Sequence, residues 1–389
     1  MIPEAPDKVA VVSDKAGLAA LVDRLRQAEW VALDTEFMRE RTYFPQLCLI
    51  QVATADELAC IDPLACEDLT PLAPLLADTS VIKVFHAASQ DLEVLYQAVG
   101  EMPRPVFDTQ VAAALLGHAD QIGYARLVED VLGVRLEKAH SRTDWSRRPL
   151  SADEIDYAAD DVRYLTGAYT ALRDELEARG RLAWLAPEFE AMTDPVRYTP
   201  DPDNAWRRVK GVRKLRAGQQ RALAQLAAWR ERTAVDSDRP RGWIIKDDVL
   251  VDLARRRPRD AGELARVRGL ADATRRKQEA AILACIAAAA DEPSEALIGP
   301  GQPLDADGQA LVDLLTCGLK ARAAEAEISA GALATRKDLE SLVSGERDLP
   351  ILRGWRRAAA GERLLALLEG RALLRADGNS VVLEEVPAS

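Results

Sequence analysis

Asp34 and Glu36 stand two residues apart in Val31-Ala-Leu-Asp-Thr-Glu-Phe-Met38, where residues 31–34 read as the end of a buried strand. Alternate residues of a strand point to one face, so the two carboxylates lie side by side. They repel each other, and a divalent cation held by oxygen ligands offsets that repulsion. A strand end turning into a polar loop accounts for the same pair, so the spacing alone leaves both readings open. Asp91 is a third acid, expected in the first turn of a helix over about 89–99. The helix dipole is a sufficient structural reason for it; the functional reading brings it close to Asp34 and Glu36. Tyr157 and Asp161 are four apart and share a helix face, with Asp160 pointing elsewhere. A surface tyrosine beside a solvated acid is the plain alternative, because Asp153, Asp156 and Asp160 crowd the same stretch.

These residues need a sheet and two helices to meet. Residues 8–12 read as a short strand, Ser13 as an N-cap, and Leu18, Leu21, Val22 and Leu25 as a helical stripe. Strands follow at 45–53, 58–62, 81–86 and 106–108, the 58–62 strand ended by Pro63. Close succession without intervening helices suggests an antiparallel set of about three. Helices are expected over 109–116, 124–132 and 152–179. Ser151-Ala-Asp-Glu154 has the pattern of a capping box and fixes the last of these just before Tyr157. The result is a mixed sheet of five or six strands with helices on its faces.

At 389 residues the chain is long enough for two or three domains, and 48% apolar residues allow each a core. No apolar run reaches the roughly 18 residues a membrane span needs, and no secretory leader is visible at the start. Five cysteines without a Cys-x-x-Cys pair argue for a reducing compartment and against structural zinc. No phosphate loop of the Gly-x-x-x-x-Gly-Lys-Ser/Thr type is present, which disfavours a helicase. Proline and aspartate cluster over 187–202, after which alanine, leucine and arginine dominate. The expected division is a first domain over 1–186, a linker over 187–203, helical domains over 204–290 and 305–375 separated by a linker over 291–304, and a polar tail over 376–389.

Asp34-Thr-Glu-Phe37, His86-Ala-Ala-Ser-Gln-Asp-Leu92 and Tyr157-Ala-Ala-Asp-Asp161 together resemble the three motifs of the DEDD exonucleases, in the version with tyrosine in the third motif. Arg41-Thr-Tyr-Phe-Pro-Gln-Leu-Cys-Leu-Ile-Gln51, Phe107-Asp-Thr-Gln110 and Ser141-Arg-Thr-Asp-Trp-Ser-Arg-Arg-Pro-Leu150 bring the resemblance closer, to the ribonuclease D family, over nearly the whole chain. It implies an α/β mixed-sheet exonuclease domain of the RNase H-like type, followed by two all-α HRDC domains. The implied reaction removes nucleotides from RNA 3′ ends as nucleoside 5′-monophosphates. By resemblance Asp34, Glu36, Asp91 and Asp161 ligate two divalent ions, Mg²⁺ or Mn²⁺, about 4 Å apart, with Asp34 bridging. Tyr157 orients the attacking water, since a phenol with an ordinary pKa of about 10 is a poor base near neutrality. By the same resemblance Phe37 and Met38 line the terminal-nucleotide pocket, with core packing the alternative for Phe37, and His86 is a candidate phosphate contact, with a structural histidine closing a buried strand the alternative.

Arg142 and Arg148, with Arg147, precede the Tyr157 helix and are candidates for holding RNA phosphates; an exposed basic loop is the alternative. The net charge of −12 opposes a general affinity for nucleic acid, but its distribution is uneven. Arg207, Arg208, Lys210, Arg213, Lys214, Arg216, Arg221, Arg230 and Arg232 face one acid, Glu231, and Arg255-Arg-Arg-Pro-Arg259 forms a second cluster. The first helical domain is thus the expected phosphate-binding face. Precursor tRNA is the substrate the resemblance implies, in the cytoplasm, with no membrane association and no obligate protein partner. A DNA exonuclease with the same carboxylates, or a noncatalytic nucleic-acid adaptor, are the rival readings.

Overall fold

The computed structural model describes residues 6, 8–136, 143–290, 296–297 and 304–386. Its chain divides into two units: residues up to Phe37, Leu47–Pro195 and Leu304 onward in the first, Met38–Gln46 and Val196–Pro303 in the second.

In the first unit, β1 (Ala10–Val12) leads into α1 (Lys15–Leu25), whose stripe Leu18, Leu21, Val22 and Leu25 is buried. Its N-cap is Asp14 rather than the expected Ser13: the Asp14 carboxylate accepts the Gly17 amide at 2.8 Å, a bond a carboxylate makes at least as well as a hydroxyl. Then come β2 (Trp30–Met38), β3 (Gln46–Ala53), β4 (Leu58–Ile61) and β5 (Ile82–Phe85). After α2 (Ser89–Val99), β6 (Val106–Asp108) completes a six-stranded sheet in the order β1-β4-β3-β2-β5-β6. The sheet is mixed: β3 and β4 are antiparallel, whereas β5 runs parallel to both β2 and β6. Val31, Ala32 and Leu33 are fully buried, as the apolar run required.

Lys83, in the middle of β5, is also fully buried. Its ammonium donates to the carbonyls of Asp78 (2.6 Å), Val81 (2.8 Å) and Arg104 (2.5 Å), tying both flanking loops to the strand. Burial brings it down to about 8.

Helices α3 (Thr109–Ala114) and α4 (Tyr124–Leu132) precede the long α5 (Ala152–Ala178), which packs on β4 and β5. Both halves of the Ser151–Glu154 capping box are formed. The stretch expected as a linker from 187 begins inside α6 (Ala186–Met192). Pro187 starts that helix rather than breaking it, because the first turn needs no amide there, and Phe189 packs on Phe107 with ring centres 5.5 Å apart.

The second unit holds α7 (Ala217–Asp236), α8 (Asp247–Arg256) and α9 (Asp272–Ala290) around Leu223, Leu226, Leu250, Leu253 and Ile282. Arg230 belongs to this core and not to a basic face. It is 4% exposed and donates to the Ile245 carbonyl and the Asp247 carboxylate.

The C-terminal part of the first unit contains α10 (Ala306–Glu325), α11 (Arg336–Val343) and α12 (Glu362–Leu368). Trp355 stacks on Trp184 at 5.0 Å, Arg356 pairs with Glu188, and the Ser329 amide donates to the Ala114 carbonyl. The expected polar tail is instead a hairpin, β7 (Ala372–Asp377) with β8 (Ser380–Glu385). Gly378 at φ +57° makes its tight turn, and Arg375 pairs with Glu384 across the strands. This part is therefore not wholly helical.

Candidate active site

Strand β2 delivers Asp34 and Glu36 to one face, and α5 lays Asp161 against them. Each of the three offers a carboxylate oxygen, and these oxygens all lie within 4.8 Å of one another. Asp91 is outside that group of three, but it is close enough for its charge to act on all of them. It is 7% exposed and accepts the Thr35 hydroxyl at 2.5 Å. Burial first, then the charges of Asp91, Asp161 and Glu36, push Asp34 well above the usual carboxylate range. Burial and the Asp161 and Asp91 charges raise Glu36 to about 8. Burial raises Asp91 to about 7, against the bond from Thr35, and burial with the charges of Asp160 and Asp91 raises Asp161 to about 7. Four acids gathered this way at neutral pH call for positive charge.

Tyr157 is half-buried on α5, its hydroxyl raised by burial and by the charges of Asp161, Glu36 and Asp34. Asp160 points away, to Arg163. Phe37 and Met38 close β2, each half-buried.

What places Asp91 is a turn that sequence reasoning missed. Between β5 and α2 the chain bends through Ala87 at φ +60°. The amides of Ala87 and Ala88 donate to the two oxygens of Asp108 at 3.0 and 2.9 Å, and Asp108 also caps α3 through the Gln110 amide at 2.8 Å. One carboxylate, 2% exposed, thus sets the start of both helices. Tyr124 was missed as well. Its hydroxyl donates to the Asp160 carbonyl at 2.8 Å and is pushed far up by burial and the charges of Asp161 and Asp34. It braces the turn of α5 that carries Asp161.

Two expected phosphate contacts are corrected. His86 has both ring nitrogens engaged, Nδ1 with the Thr109 hydroxyl and Nε2 with the Ile122 carbonyl, each at 3.0 Å. Neither is left for a substrate, and burial lowers its pKa. Arg148 grips Asp62 through Nε (2.6 Å) and Nη2 (2.8 Å), and donates to the carbonyls of Cys48 and Trp145. It anchors the segment before α5 to β3 and the end of β4. Arg142 lies outside the described residues.

A family model described as 3′–5′ exonuclease matches residues 9–177, and one described as HRDC domain matches 219–286. The chain is 42% identical to the ribonuclease D of Gluconacetobacter diazotrophicus over 98% of both chains. It is 43% identical to that of Granulibacter bethesdensis over 96% of both. The crystal structure of Escherichia coli RNase D, described as an exoribonuclease involved in structured RNA processing, superposes with a TM-score of 0.82 at 36% identity. That match covers 93% of this chain and 99% of the other.

Proposed function

The chain belongs to the ribonuclease D family, and on that premise we propose that it shortens RNA stepwise from the 3′ end, with precursor tRNA ends among its cytoplasmic substrates. The observation that carries this reading is the meeting of Asp34, Glu36 and Asp161 within one cation's reach, beside Asp91 and Tyr157. No helix among the described residues is long and apolar enough to cross a membrane.

The donor set fits a hard divalent cation: it is all oxygen, anionic, and raised toward neutrality by burial and by the neighbouring carboxylates. Asp34, Glu36, Asp91 and Asp161 would hold two Mg²⁺ or Mn²⁺ ions. Bound there, the ions supply Lewis acidity and lower the pKa of the attacking water. The chain's own groups then do the positioning. A hydroxyl raised above its ordinary range stays protonated, so Tyr157 orients the water as a hydrogen-bonding partner and is not its base. Phe37 and Met38 pack on the terminal nucleotide. Water oxygen bonds to phosphorus and the P–O3′ bond breaks, which leaves a nucleoside 5′-monophosphate and a chain one unit shorter with a free 3′-hydroxyl.

The segment 204–290 carries 21 Lys and Arg against 10 Asp and Glu in a chain of net charge −12. This HRDC domain holds the RNA backbone, and residues 305–375 serve as a second, HRDC-like domain. Chromatography of the product from RNA labelled in its 3′-terminal nucleotide tests the reaction. A labelled nucleoside 5′-monophosphate, abolished by EDTA, is expected; a 3′-phosphate or an oligonucleotide product would contradict it.

A further inference from the structure

We propose that the first helical domain contains a subsite for one nucleotide of single-stranded RNA, with the base stacked on Trp243. The indole is 62% exposed. Among the described residues every other aromatic side chain is buried or half-buried. Leaving so large an apolar face in water forgoes a burial that aromatic rings normally find in a core or with a partner. Trp243 sits on the short turn Arg241–Ile244, braced by its amide bond to the Pro240 carbonyl at 2.8 Å.

Beside it opens a cavity of about 250 Å³ whose lining includes Trp243, Lys246, Asp248, Gly269 and Thr274. Sites that enclose a whole small molecule run to roughly 300–1,000 Å³, so this one suits a single unit of a longer chain. Gly269, at φ +80°, lets its loop close on α8: a Cβ there would lie 2.9 Å from the Val249 side chain.

The polar groups match the parts of a ribonucleotide. Lys246 on the lining, and Arg268 next to Gly269, have no ion-pair partner among the described residues and can meet a phosphate. Asp248 would repel a phosphate set against it, but it can accept a hydrogen bond from a ribose 2′-hydroxyl, which DNA lacks. An exposed indole also suits a protein partner, but the excess of basic residues in this domain favours a polyanion. Stacking on an aromatic face is sequence-tolerant, as a trimming enzyme requires.

The subsite rests on RNA being the substrate. The test is fluorescence anisotropy with the full-length protein carrying Asp34→Asn to prevent turnover, on labelled single-stranded RNA and DNA 12-mers. A stacked base contributes about 1–3 kcal/mol, so Trp243→Ala should raise the Kd for RNA about 5- to 160-fold, and Trp243→Phe should restore most of the loss. The slope of affinity against salt should not change, because no phosphate contact is removed. Asp248→Ala should narrow the preference for RNA over DNA. RNA binding by the parent with equal binding by Trp243→Ala would overturn the subsite alone and leave the indole to a protein partner. A parent that binds no RNA would overturn the exoribonuclease reading and the subsite with it.

Discussion

Four acids in one site set the behaviour of the protein at the scale of single residues. Glu36 is held at about 8, and Asp91 and Asp161 at about 7, chiefly by burial. In the unfolded chain the same groups lose their protons near pH 4. The folded protein therefore binds more protons than the unfolded one between about pH 4 and pH 8. Without a cation its stability is greatest at the acid end of that window and falls as the pH rises through it. A divalent ion replaces those protons, so its effect should grow with pH. Melting curves of EDTA-stripped protein should show a larger Tm gain from Mn²⁺ at pH 8 than at pH 6; equal gains would contradict the shared site. That Asp34 and Glu36 share a strand face, and Tyr157 and Asp161 a helix face, was legible from their spacings, two and four; that the two faces meet was implied only by the resemblance of the three motifs. Thr35 and Asp108 were not legible, since each acts through a partner far along the chain: Thr35 on Asp91, and Asp108 on the amides of Ala87 and Ala88.

Elements whose apolar period ran unbroken were read correctly, and those fixed by distant contacts were not. The sheet strands and α5 carried their own signals, from buried runs to the Ser151–Glu154 cap. The 372–385 hairpin lacked such a signal, because most of its residues are exposed and it buries little that would mark it as strand. Helix α6 was hidden by Pro187, a residue that reads as a breaker unless its place in the first turn is known. Arg148 looked like a phosphate ligand because a basic loop before a catalytic helix has no visible partner in sequence; Asp62 and the Cys48 carbonyl supply one in space. Arg148→Ala should thus destabilise the fold by about 1–3 kcal/mol, the loss of its charge-assisted bonds to Asp62, which keeps only the Leu64 and Ala65 amides. Urea titration measures this, and the salt dependence of RNA binding should stay as in the parent. A flatter salt dependence with unchanged stability would return Arg148 to the RNA.

For the whole molecule, uneven charge reconciles an acidic chain with a polyanionic substrate. Arg213, Lys214 and Arg216 enter the first helical domain with no acid among them. Each phosphate neutralised on a single strand contributes about 0.7 to the slope of log affinity against log salt, so replacing all three by glutamine should reduce that slope by about 2. An unchanged slope would move the phosphate contacts elsewhere. That this segment is the basic one was legible from composition, whereas the core role of Arg230 was not, because burial is a property of the packed helices.

The most direct test of the central claim is a denaturing-gel time course on a 3′-extended tRNA and a matched single-stranded DNA, with Mg²⁺ or Mn²⁺ and with EDTA, for the parent and Asp34→Asn. Stepwise, metal-dependent shortening of the RNA by the parent alone is the expected result, with Asp34→Asn inactive but still binding. Turnover retained by Asp34→Asn would place the chemistry outside the carboxylate cluster, and equal loss of the DNA would make the protein a general exonuclease.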